Sequence, residues 1–219
     1  MPVQIEDEGE LEMSSAVIVH RAAEAATQLI LLFHGVGSNA RDLVPLGQAL
    51  ARELPAATVV SVQAPDASDF GSGWQWFSVQ GITEASRPAR VTATMPRFVA
   101  TVQQWQKETC VGPAQTTLLG FSQGAIMALE STQQPVPLAS RVVAIAGRFA
   151  QPPRVAPVGG VPVHLLHGDA DPVMPVRLSV DAQVQLRALG ATVTLDRFPG
   201  LSHGIDQRML GKLVERLRP

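Results

Sequence analysis

The sequence predicts an α/β fold, a doubly wound and mostly parallel sheet, on three observations. Short runs rich in Val, Ile and Leu alternate with segments of helical spacing along the whole chain. Several of those runs are nearly continuous apolar stretches, as strands covered on both faces must be. The 219 residues are 46% hydrophobic, and a chain of this length buries roughly 70% of its unfolded surface, enough for one sizeable core. Alternating strand and helix places helices on both faces of the sheet. Ligands then bind beyond the carboxyl ends of the strands, so the loops that follow strands are where chemistry is sought.

The elements follow in order. Residues 1–13 carry Glu6, Asp7, Glu8, Glu10 and Glu12 and read as an acidic, flexible tail; the domain is 14–219. Strands are predicted over Ala16–Val19, Leu29–Phe33 and Thr58–Val62. The long segment Pro65–Pro88 holds Phe70, Trp74, Trp76 and Phe77 among Gly71, Gly73 and Gly81. It follows a strand, so Trp74 or Trp76 is expected to line a substrate pocket, with a plain core role as the alternative. Phe98, Val102 and Trp105 recur at helical spacing. The next strand, Thr116–Leu119, runs into Gly120-Phe121-Ser122-Gln123-Gly124 and a helix-compatible stretch, Ala125–Glu130. Val142–Ile145 precedes a connector, Gly147–Gly160, whose prolines 152, 153 and 157 exclude a helical insertion and so leave minimal or no lid. Arg148, at its start, is a candidate ligand for a substrate carboxylate, with an ion pair bracing the connector as the rival reading. Val161–Leu166 and Thr192–Phe198 complete the strands. Val176, Val180 and Val184, then Ile205, Met209, Leu213 and Leu217, mark the buried faces of two last helices.

Charge and cysteine exclude several classes of function. The net charge is −2, yet the 5 acids named above leave 14 of 19 acids against 17 bases in the rest of the chain. That mild, scattered excess suits no nucleic-acid groove. No apolar run reaches the ~18 residues of a membrane span. An acidic start is unlike a secretory signal, and the single cysteine, Cys110, fits a reducing compartment and a structural role. A cytoplasmic location is expected. Exposed helix faces leave room for a homodimer.

The chemistry starts at Ser122. Gly-x-Ser-x-Gly between a strand and a helix is the nucleophile elbow, a tight turn that lifts the hydroxyl above the sheet. Such a serine needs a base and an orienting carboxylate, in the chain order Ser, acid, His, each after a later strand. Asp171 follows the strand ending at Leu166, and His203 follows the strand ending at Phe198. Asp169 is the rival acid. The oxyanion donors are the amide of Gln123 and that of Val36 in the loop His34–Asn39. His34 and His167 are expected to hold loops. His164 and His167 point to opposite faces of a strand, so no metal site is expected, and no cofactor.

Together LLFHGVGSN, GFSQGA, LLHGDADPVMP and GLSHG resemble the α/β-hydrolase superfamily, and within it the carboxylesterase/phospholipase family that includes acyl-protein thioesterases and small bacterial esterases. GSGWQWFSVQGI is similar to a bacterial subgroup of that family. The resemblance implies a compact α/β-hydrolase fold, Asp171 as the triad acid, and oxyanion amides at Val36 and Gln123. It also implies a serine carboxylesterase for short- to medium-chain esters, with a small-molecule ester as substrate. Thioester or lysophospholipid hydrolysis by the same triad is the alternative, and a non-catalytic ligand-binding protein is the reading from another class. Ser38 stands where eukaryotic thioesterases carry Asp.

Overall fold

A computed structural model describes residues 16–218; the acidic stretch 1–13 lies outside the described residues. The chain runs β1 (Val17–His20), β2 (Gln28–Phe33), α1 (Val44–Glu53) and β3 (Ala57–Val62). A small hairpin follows, β4 (Asp66–Ala67) and β5 (Trp74–Gln75), and then the long α2 (Arg87–Thr109). The second half is β6 (Thr116–Phe121), α3 (Gln123–Ser131), β7 (Arg141–Ile145), β8 (Val163–Gly168), α4 (Arg177–Ala188), β9 (Val193–Phe198) and α5 (Gln207–Leu217). Seven strands form one sheet in the order β1-β3-β2-β6-β7-β8-β9. Only β1 is antiparallel to its neighbour. The predicted strands are all present, with ends moved by one or two residues.

Strand alternation divides the core. Leu29, Leu31 and Phe33 turn toward α2, α3 and α4, where Val91, Phe98, Trp105 and Leu186 meet them. Ile30 and Leu32 turn the other way, with Leu50 of α1 and Met209, Leu213 and Leu217 of α5. A period of two in the strands thus fills both layers from one run of apolar residues. Every residue of α3 is buried: Ala125–Leu129 is apolar throughout, and the polar Gln123, Glu130 and Ser131 are hydrogen-bonded.

Two expectations about helices need correction. In α4 the buried residues are Ser179, Ala182 and Leu186, and Val184 is exposed. The valines share a helical spacing, but α4 packs over β9 and β8 with Ser179, Ala182 and Leu186 turned inward. Ile205 lies ahead of α5, whose first residue is Gln207 and whose N-cap is Asp206, accepting from the Met209 amide. No helix among the described residues is long and apolar enough to cross a membrane.

Candidate active site

Three loops at the carboxyl ends of β6, β8 and β9 converge. Ser122 sits between β6 and α3 with φ 54° and ψ −114°, a strained conformation for a residue with a side chain. Glycines make the turn possible: a Cβ on Gly120 would lie 2.4 Å from the Ala125 nitrogen, and one on Gly124 would lie 2.2 Å from the Phe33 oxygen. The Ser122 hydroxyl lies 3.0 Å from Nε2 of His203, and Nδ1 of His203 lies 2.7 Å from Oδ2 of Asp171. The other oxygen of Asp171 accepts the amides of Val173 and Met174 at 2.9 and 2.8 Å. Burial of Asp171 favours its neutral form, but hydrogen bonds from His203, Met174 and Val173 outweigh it and hold the carboxyl below its ordinary value. Nδ1–H of His203 therefore donates to a carboxylate, leaving Nε2 free to accept from the serine.

The rival acid lies elsewhere. Asp169 pairs with Arg197 at 2.7 Å. His167 is fully buried, with Nε2 donating to the Met174 carbonyl at 2.6 Å and Nδ1 accepting from the Ser179 hydroxyl at 2.7 Å. It braces the loop that presents Asp171. His34 does the same for the early loop, accepting from the Ala64 amide at 3.0 Å and donating to the Gly35 carbonyl at 2.7 Å. Burial keeps both rings below the ordinary histidine range, so both stay neutral loop braces.

The two expected oxyanion donors belong to segments that border Ser122. Gln123 is the first residue of α3, ahead of the first intrahelical bond from Ile126 to Ser122, so its amide is free for an anion. The loop carrying Val36 passes so close that a Cβ on Gly35 would meet Ser122 Cβ at 3.1 Å. Val36 and Gln123 both line the cleft that opens over Ser122, a space of about 590 Å³.

The aromatic segment behaves differently from the expectation. Trp76 is a core residue, 1% exposed and edge-on to Phe33 and Phe98. Its indole N–H donates to the His34 carbonyl, because a buried indole needs an acceptor. Trp74 pairs with Ser38 through the backbone. Neither tryptophan lines the cleft; Phe77, Val79 and Ile82 of the same segment do, with Ile126, Met174 and Leu178 from other elements. Period-based reading missed these because the segment folds as a hairpin and turns whose facing no periodicity encodes. The side chain of Gln123 was missed too: it accepts from the Trp76 amide at 2.8 Å and donates to the Phe77 carbonyl at 2.7 Å. Arg148 lines the cleft, yet its guanidinium is taken up by Glu84, at 3.0 and 2.6 Å, and by the Phe149 carbonyl. The ion-pair reading replaces that of a substrate-carboxylate ligand.

A family model described as phospholipase/carboxylesterase matches residues 14–218. The chain belongs to this family. It is a carboxylic ester hydrolase of the α/β-hydrolase fold. Among curated members, esterase YpfH of Escherichia coli is 47% identical over 201 residues, covering 92% of this chain and 86% of its own. Acyl-protein thioesterase 1 of Neurospora crassa is 25% identical, covering 81% and 80%. Of solved structures, esterase PE8 superposes with a TM-score of 0.82 at 32% identity, covering 93% and 96%.

Proposed function

We propose that this chain is a serine carboxylesterase for short- to medium-chain carboxylic esters, working through Ser122, His203 and Asp171. The observation that carries this reading is the hydrogen-bonded relay from Ser122 through His203 to Asp171 beneath the 590 Å³ cleft. His203 Nε2 takes the hydroxyl proton as Ser122 Oγ bonds to the acyl carbon. The oxyanion that forms rests on the amides of Val36 and Gln123. As the C–O bond to the alcohol breaks, His203 returns the proton to the leaving oxygen, and an acyl-enzyme remains. Water then attacks the acyl carbon, giving its proton to His203. The Ser–acyl bond breaks, Ser122 regains a proton, and the acid departs. Asp171 holds the imidazole in the required tautomer and stabilises its charged form.

The test is a fluorophosphonate probe on wild type and Ser122→Ala, followed by p-nitrophenyl esters from acetate to palmitate. Wild type is expected to label and the variant not to, with kcat lower by about 10⁴ to 10⁶. A wild type that neither labels nor turns over any ester would overturn the reading in favour of a ligand-binding protein. A second reading, thioester hydrolysis, is supported by the relative named as an acyl-protein thioesterase. Matched oxygen and sulfur esters of one acid, compared by kcat/KM, separate the two.

A further inference from the structure

The cleft over Ser122 adjoins a second cavity of about 300 Å³, lined by Phe149, Ala150, Gln151 and Gln185 among others. Glu84, Arg148, Leu178 and Asp181 line both cavities, so this ion pair stands at their boundary, beside Leu178 and Asp181. The two residues come from segments 64 positions apart, the turn ahead of α2 and the connector after β7. Their contact is bidentate, and Glu84 also receives Arg87 at 2.7 Å. The arginine side chains are only 14% and 16% exposed, whereas that of Glu84 is 70% exposed and carries the pair to the solvent edge. On the Ser122 side Val36, Phe77, Val79, Ile82 and Ile126 supply an apolar stretch of the lining, which also includes Arg87, Arg177 and Asp181.

A hydrocarbon chain gains free energy along that apolar stretch. At the ion pair it would strip water from charged groups and return no hydrogen bond, so further growth goes unrewarded. We propose that the Glu84–Arg148 pair is a charged sill that ends the acyl compartment and sets the upper limit of acyl length, with the second cavity beyond it. The proposal rests on the esterase reading above. Hydrogen bonds from Arg148 and then Arg87 hold the Glu84 carboxyl down to about 2, so the sill stays charged at neutral pH. Arg148 is fixed in place by this pair and by the Phe149 carbonyl, with Nε and both Nη atoms each donating one hydrogen bond.

The test reads kcat/KM for a series of p-nitrophenyl esters, each normalised to a short ester in the same preparation, so that the active fraction cancels. Arg148→Met removes the charge across the cleft and leaves Glu84 paired with Arg87. It is expected to carry the profile past the wild-type limit, gaining about fourfold per added methylene. Glu84→Gln leaves two guanidinium groups short of a counter-charge and is expected to move the limit to shorter chains. Arg148→Lys, which keeps the charge, is expected to keep the limit. An active wild type whose limit is unmoved in Arg148→Met overturns the sill while leaving the esterase reading intact. Equal shifts in the same direction for Arg148→Met and Glu84→Gln also overturn it, because a merely structural brace would act that way. A wild type inert toward every ester and toward the fluorophosphonate removes both readings together.

Discussion

Ser122 combines a left-handed φ of 54° with 6% exposure, a costly backbone placement for a residue with a side chain. Strain of this kind persists only where surrounding structure enforces it, and here Gly120 and Gly124 supply the room while the His203 ring receives the hydroxyl. Asp171 is the more informative residue to change. Asp171→Asn keeps an oxygen for the Val173 and Met174 amides but presents an NH₂ to Nδ1, favouring the wrong imidazole tautomer. It is expected to lower kcat about 10⁴-fold with little change in melting temperature. Steady-state kinetics beside a thermal melt checks it, and a variant within tenfold of wild type would remove Asp171 from the relay. Asp169→Asn, which loses only the pairing with Arg197, is expected to stay within a few-fold.

At the scale of elements, the β4–β5 hairpin is a suture. Trp74 and Ser38 exchange backbone contact, with Trp74 N donating to the Ser38 carbonyl at 2.8 Å and Gly37 N donating to the Trp74 carbonyl at 2.9 Å. Asp69 ties off the same segment, accepting from Ser78, Val79 and Gln80. The loop that presents the Val36 amide is therefore fixed by the aromatic segment rather than by β2 alone. Gly73 permits the approach, since a Cβ there would lie 2.0 Å from the Gly37 oxygen. Gly73→Ala is expected to displace the loop and cut kcat about 10²-fold, the cost of one misplaced oxyanion donor, with KM much less affected. Kinetics on an acetate ester reads this directly; an unchanged kcat would mean that the hairpin does not position the donor.

For the whole molecule, acid stability reports on burial across the sheet. His164 of β8 is half-buried, bonds Thr194 of β9 at 2.8 Å, and is pushed down to about 4 by burial and by Arg141 and Arg216. The unfolded histidine titrates near 6.5. Between about pH 6.5 and 4 the unfolded chain binds a proton that the folded chain refuses, so stability is full above this window and falls as pH drops through it. His34 and His167, lowered by burial, add in the same direction. Glu84 and Asp69, each held near 2 by its hydrogen bonds, extend the loss below pH 4. His164→Asn is expected to flatten the fall of melting temperature between pH 6.5 and 4 relative to wild type. Parallel curves for the two proteins would contradict that assignment.

The sequence by itself determined the fold class and the order of chemistry. Apolar runs of strand length encode burial on both faces, and a Gly-x-Ser-x-Gly turn encodes its own backbone, so the strands and the Ser122, Asp171 and His203 loops were legible locally. What only the tertiary structure decided depends on partners far apart in the chain. Trp76 became core because Phe33 and Phe98 close around it, and Arg148 became a sill because Glu84 reaches it. The valine stripe of α4 failed because Ser179, Ala182 and Leu186, and not the valines, face the sheet. Periodicity fixes which residues share a face, but which face meets a neighbour, and which charge finds its counter-charge, is settled only by packing.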